Sequence, residues 1–229
     1  MSGRVGSITT DIIADGLVFN MDAANRASYP KTGTTATDTI TPTHSGSFNN
    51  DVTFNSSPPN FEFGLDGVDD YIEFNDDSSF YNTPVLTISF WYYTDASAQV
   101  GQVVSRRSGD FEVYRHTTAN SFYTYFGGAA GNNAKIAVAT HAWYNVTFVL
   151  EGTTQYSYRN GELIISAAMI GTPSFSHSYP LSIGRRAQFA GASNNYWDGN
   201  IANIHLYDRP LSANEVLHNY NALRGRFGV

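Results

Sequence analysis

The stretch FGLDGVDDYIEF (residues 63–74) sets a turn with three aspartates between two short aromatic runs. Before the turn, Phe61, Phe63 and Leu65 alternate with Asn60, Glu62 and Gly64; after it, Ile72 and Phe74 alternate with Tyr71 and Glu73. A period of two marks strands that bury one face, so the stretch predicts strand, turn, strand. Three readings of the turn compete. Asp66, Asp69 and Asp70 could supply a catalytic carboxylate pair, oxygen ligands for a hard cation, or side chains that accept from nearby backbone N–H groups. Asp66-Gly67 is good turn chemistry. The reading adopted is a hairpin turn that could also hold a structural ion, not a reaction centre.

Similar runs recur on both sides. VLTISFWYYT (85–94), WYNVTFVLEG (143–152), TQYSYR (154–159) and ELIISA (162–167) are rich in β-branched and aromatic residues. Asn160-Gly161, between the last two, is a strong hairpin signal. Turn clusters (SSPPN, FNDDSS, GGAAGNN, GASNN) separate the runs. Many short strands with frequent turns predict an all-β antiparallel sandwich or barrel of about twelve to fourteen strands. One helix is expected near the C-terminus, over about residues 212–223. Ser212 and Glu215 have capping-box spacing, Val216, Leu217, Tyr220 and Leu223 follow at helical spacing, and Gly225 offers a stop. The Thr/Ser-rich region 32–50 reads as a surface loop. With no linker in sight, residues 15–229 form one domain behind a short arm, 1–14.

Composition excludes several classes. Charged residues are 14% of the 229, well below the usual quarter, so Ser, Thr, Asn, Gly and Tyr must cover much of the surface. The net charge is −7 and the only lysines are Lys31 and Lys135, which leaves no basic stripe for nucleic acid. Arg106-Arg107 and Arg185-Arg186 are isolated pairs, read mainly as solvated loop ends, with a binding or interface role as the alternative. The absence of Cys removes disulfides, thiolate zinc sites and Cys nucleophiles. MSGRVGSITT lacks the apolar core of a secretory signal, and no apolar run nears the length of a membrane span. The expectation is a chain made in a cytoplasm, soluble, with neither membrane nor nucleic acid as a partner.

In order, the segments resemble a known family. DGLVFNMDAANRASYPKTGT (15–34), FGLDGVDDYIEF, LTISFWYYT, HAWYNVTFVLEGTTQYSYRNGEL, LSIGRR and WDGNIANIHLYDRPLSANEVLHNYNALRGRFG are similar to the blocks of laminin-G-like, concanavalin A-like jelly rolls found in phage structural proteins. The resemblance runs over about 15–228 and implies a β-sandwich jelly roll. It also implies a non-enzymatic protein of the virion surface, a head decoration or tail-fibre component among other virion proteins, adhering weakly to glycans and open to homo-oligomer formation. A capsid cement protein without sugar binding and a stand-alone cellular carbohydrate-binding module are the alternatives. The E-x-D-x-E triplet of related glucanases is missing, Glu112 of FEVYRH stands without a second acid, and there is no G-x-S-x-G or H-E-x-x-H. Many members of the fold hold one structural calcium. Here the resemblance points to Asp66, with Asn203 where the family often has Asp, and Asp22 and Asp198 from neighbouring segments. Aromatic faces and amides suited to sugars come from Trp91 and Tyr93, from Tyr123 and Tyr125 of SFYTYF, and from Asn194, Asn195, Tyr196 and Trp197 of GASNNYWDGN; the alternatives are that Trp197 is a core or edge aromatic closing the sandwich and that at least one of the first two sets is simple core.

Overall fold

Most apolar residues of the alternating runs meet in a main core between two antiparallel sheets. A computed structural model describes residues 11–57, 61–74, 85–95, 100–106, 110–116, 120–175, 180–186 and 195–229. Its strands are β1 (Leu17–Asp22), β2 (Thr35–Thr37), β3 (Ser45–Asn49), β4 (Thr53–Asn55), β5 (Glu62–Asp66), β6 (Tyr71–Phe74), β7 (Thr87–Tyr93), β8 (Gly101–Arg106) and β9 (Phe111–His116). They continue with β10 (Ser121–Phe126), β11 (Ala129–Ala130), β12 (Ile136–Ala137), β13 (Tyr144–Glu151), β14 (Thr154–Arg159), β15 (Glu162–Ala168), β16 (Ser182–Ile183) and β17 (Asp198–Tyr207), and helix α1 spans Ala213–Phe227. One sheet, which the helix covers, has the order β15-β14-β13-β7-β17-β5-β4, with β1 beside the second half of β17. The other, here the far sheet, has the order β11-β10-β9-β8-β16-β6-β3-β2, with β12 against β10. The strands outnumber the sequence expectation because pieces such as β2, β4 and β16 are too short to show a period.

The stretch 63–74 is not a hairpin. Its strands lie in different sheets, β5 in the helix-covered sheet and β6 in the far sheet. The Asp-rich turn is therefore a corner of the sandwich, and Phe63 and Leu65 face Ile72 and Phe74 across the core. The Asn160-Gly161 hairpin forms as expected, with φ of 52° and 78° as a two-residue type I′ turn needs. The region 32–50 is not a plain surface loop. It holds β2 and β3, buries Ala36 and Asp38, and packs the Phe48 ring 5.2 Å from Phe63.

Helix α1 carries the expected capping box on Ser212 and Glu215 but runs four residues further. Gly225 lies inside it, and Gly228 ends it in the left-handed region at φ 71°. The extension places Phe227 on Trp91, with ring centroids 4.0 Å apart and planes 13° apart, and beside Trp143. A mid-helix glycine costs only about 1 kcal/mol, less than burying an aromatic ring returns. A second apolar cluster joins Val216 and Leu211 of the helical segment to Val149, Tyr158 and Tyr207. Ile13 of the expected arm packs there too, and its N–H donates to Asn219 Oδ1; residues 1–10 lie outside the described residues. No helix among the described residues is long and apolar enough to cross a membrane.

Two outcomes test this side of the molecule. Gly225→Ala should raise stability by about 0.5–1 kcal/mol, while Gly228→Ala should lower it by about 1 kcal/mol or more, both read from urea midpoints. His205, buried near Asp22 and Arg226, has its pKa pushed down to about 4, mainly by burial. The unfolded chain therefore takes up a proton that the folded chain refuses as pH falls from 6.5 toward 4. His205 should thus cost stability by up to ~1.4 kcal/mol per pH unit in that window. His205→Gln should flatten the slope of unfolding free energy against pH relative to wild type.

Candidate ligand-binding cleft

The outward face of the far sheet concentrates aromatic and polar side chains. Alternation sends Phe111, Val113, Phe122, Thr124 and Phe126 inward, where all are buried. Glu112 and Tyr114 of β9 and Tyr123 and Tyr125 of β10 therefore point outward, paired Tyr123 with Tyr114 and Tyr125 with Glu112. The Tyr114 and Tyr125 rings stack with centroids 6.1 Å apart and planes 12° apart, and Tyr123 and His116 continue the row. The row across the sheet from Tyr125 runs Glu112, Ser105, Ser182, Glu73. The two serines are fully buried. Arg186 and Arg185, just past β16, pair with the carboxylates at either end, Arg186 Nε 3.2 Å from Glu112 and Arg185 against Glu73. Gln102 Nε2 donates to Glu112, and the Gln102 N–H donates to the Asn195 carbonyl at 2.8 Å. These groups enclose a cleft of about 200 Å³ lined by Gln102, Glu112, Tyr114, Tyr125, Arg186 and Asn195.

The electrostatics keep the cleft a neutral hydrogen-bonding surface. Burial, with Tyr125 close by, pushes the Tyr114 hydroxyl well above the usual tyrosine range, so it stays protonated. The one carboxylate, Glu112, is matched by Arg186.

Residues 66–217 match the family described as the concanavalin A-like lectin/glucanases superfamily, about two thirds of the chain. The chain belongs to this family. No curated protein shows a sequence match. Solved structures similar to this concanavalin A-like chain include the binding domain of botulinum neurotoxin DC in complex with SialylT (14% identity, TM-score 0.67, 91% of this chain and 52% of that one). The same binding domain in complex with rat synaptotagmin II matches at 15% identity and a TM-score of 0.66, again over 91% and 52%. A structure of botulinum neurotoxin type C, whose cell entry depends on interaction with two ganglioside molecules, matches at 15% and 0.65, over 91% and 51%. The chain thus spans about half the length of these structures. At such identities the likeness is one of fold.

Of the expected sugar-binding residues, the concanavalin A-like sandwich brings Tyr123, Tyr125 and Asn195 to one face. Tyr196 lies beside them, its ring 6.3 Å from Tyr71. Trp91 and Trp197 are corrections, being 0% and 1% exposed, so neither offers a face to a ligand. Trp91 points out of its sheet, where α1 covers it; Trp197 enters the core between Tyr92 and Phe122, in line with its alternative reading as a core aromatic. Tyr93 sits half-buried on Trp143, under the helix edge. Asn194 lies outside the described residues. Arg106, read as a solvated loop end, is fully buried and ion-paired with Asp110; Arg107 lies outside the described residues. Tyr114, Gln102, Glu112 and Arg186 were not singled out as ligand residues, although the alternation of FEVYRH carries the signal for Glu112 and Tyr114.

The expected calcium set does not converge. Asp66 pairs with Asp198 and Asp22 pairs with Asn203, in register. Asp198 and Asn203 stand five residues apart on β17, roughly 16 Å of strand, so one ion cannot reach all four. Asp22 is also taken by Arg226 at 2.6 Å. Among the described residues, the carboxylates that cluster are Asp66, Asp69 and Asp70, with oxygens within 4.8 Å. The two oxygens of buried Asp70 accept from the N–H groups of Asp51 and Asp66, and Asp66 Oδ1 accepts from Val68. Those oxygens hold the corner.

The two tryptophan corrections have a direct check. Trp197→Ala should cost about 3–5 kcal/mol of unfolding free energy in urea, whereas Tyr123→Ala on the outward face should cost under about 1 kcal/mol.

Proposed function

We propose that this chain is a non-catalytic carbohydrate-binding domain and that its ligand sits in the cleft on the far sheet. The observation that carries the reading is the stacked Tyr114–Tyr125 pair beside Gln102, Asn195 and the Arg186–Glu112 pair. Sugars present apolar C–H faces that pack on aromatic rings and hydroxyl groups that need amide and charged partners, and small-molecule sites combine these two elements. Folds host many functions, so the argument rests on the side chains rather than on the lectin-like scaffold. The similar neurotoxin domains, one in complex with SialylT and one tied to gangliosides, are compatible with it. Catalysis fits poorly. The two outward carboxylates, Glu112 and Glu73, lie on strands three spacings apart, ~14 Å, against about 6.5–9.5 Å between the carboxyl groups of inverting glycosidases. Each is also held by its own arginine.

The setting we propose is a virion surface, as the resemblance to phage structural proteins implies. A shallow site of this kind binds weakly, with Kd near millimolar, or about −4 kcal/mol. Display in many copies on a particle turns such sites into firm attachment. On a glycan array the purified chain should bind a restricted set of glycans, and Tyr125→Ala, removing about 1 kcal/mol of ring contact, should weaken binding roughly five-fold without a change in melting temperature. Equal binding by Tyr125→Ala and wild type would move the site off this face.

A further inference from the structure

The far sheet carries a second grouping of the same residue types. On β6 the Arg185 guanidinium sits 3.7 Å over the Tyr71 ring and pairs with Glu73, two residues along, while the Tyr196 ring stands 6.3 Å from Tyr71. The cleft has Tyr125 and Tyr114, the Arg186–Glu112 pair and Asn195. Each grouping therefore has tyrosine rings, one Arg–Glu pair and one residue of the Asn195-Tyr196 dipeptide. Two short segments between them feed both sides: Arg185 turns to β6 and Arg186 to β9, Tyr196 turns to Tyr71 and Asn195 to the cleft. Between the groupings the paired Ser105 and Ser182 are fully buried, Ser105 Oγ donating to the Arg185 carbonyl and Ser182 Oγ to Glu73.

The spacing follows from the strand order β10-β9-β8-β16-β6. Tyr125 and Tyr71 stand four strand spacings apart, ~19 Å at about 4.8 Å each, the length of about four linked pyranose rings. One sugar cannot touch both. The charges along the track cancel, two arginines against two glutamates, which suits an uncharged, hydroxyl-rich chain rather than a sulfated or uronate one. We propose that the two groupings are stations for a single linear neutral glycan, so that the domain recognises a chain of about four rings rather than one sugar. This rests on the glycan-binding reading above.

Titration calorimetry with graded oligomers of cellulose, xylan, laminarin, agarose and chitin, from disaccharide to octasaccharide, tests it, with alginate oligomers as the anionic comparison. For the glycan that binds, affinity should rise by roughly tenfold or more from disaccharide to hexasaccharide as the second station engages, then level off. Tyr71→Ala and Tyr125→Ala, each checked for an unchanged melting temperature, should each abolish that gain. A flat length series in which only Tyr125→Ala weakens binding would leave a single-sugar cleft and overturn the two-station track. Tighter binding of alginate than of every neutral oligomer would overturn the neutral assignment. Failure of every oligomer, long and short, would remove the glycan reading and the track with it.

Discussion

The corner at residues 66–70 holds the sandwich together. Only four residues separate β5 from β6, yet the two strands belong to opposite sheets. The chain must cross the core thickness, about 10 Å, and reverse its inward face within that distance. Asp70 makes this feasible. Its buried carboxylate accepts from Asp66 on one side of the turn and from Asp51, which leads into β4, on the other. Gly67 adds the left-handed φ of 75° that the bend needs. Phe63 and Leu65 are thereby locked opposite Ile72 and Phe74, and the order of both sheets builds out from that point.

The two outer faces then take different roles. The helix-covered sheet points Trp91, Trp143 and Ala202 outward, and α1 closes over them with Tyr220, Leu223 and Phe227. The apolar outward surface on that side becomes a second core layer. The far sheet points tyrosines, glutamates and serines outward, with arginines laid across them. The Arg185–Glu73 and Arg186–Glu112 pairs are partly screened by solvent and contribute little to stability. Their role is positional: they fix where the tyrosine faces end and the hydrogen-bonding groups begin.

Much of this was legible in the sequence. The alternation in SFYTYF separates Phe122, Thr124 and Phe126 from Tyr123 and Tyr125, and in the structure the first set is the buried one. The capping box and the Asn160-Gly161 turn were equally readable, because their chemistry is local. What failed depended on distant partners. Alternation states which side chains share a face but not which sheet a strand joins, so 63–74 read as a hairpin. It puts Trp91 and Tyr93 on one face of their strand but cannot show that α1, more than a hundred residues later, covers the Trp91 ring. Gly225 looked like a helix stop because the stacking of Phe227 on Trp91 is invisible locally. Arg186 reaches the cleft from an irregular segment, where no period exists to reveal it; Asn195, also on an irregular segment, was legible only through its residue type beside Tyr196.

Both described ends of the chain lie against the helix. The Asp11 carbonyl meets His218 at 2.9 Å, and Val229 closes onto the last turn through Arg224. Helix and tyrosine cleft are on opposite outer faces of the sandwich. A tether joined after Val229 would leave from the rear, so the molecule would stand with its tyrosine face directed away from whatever holds it there, like a palm held outward.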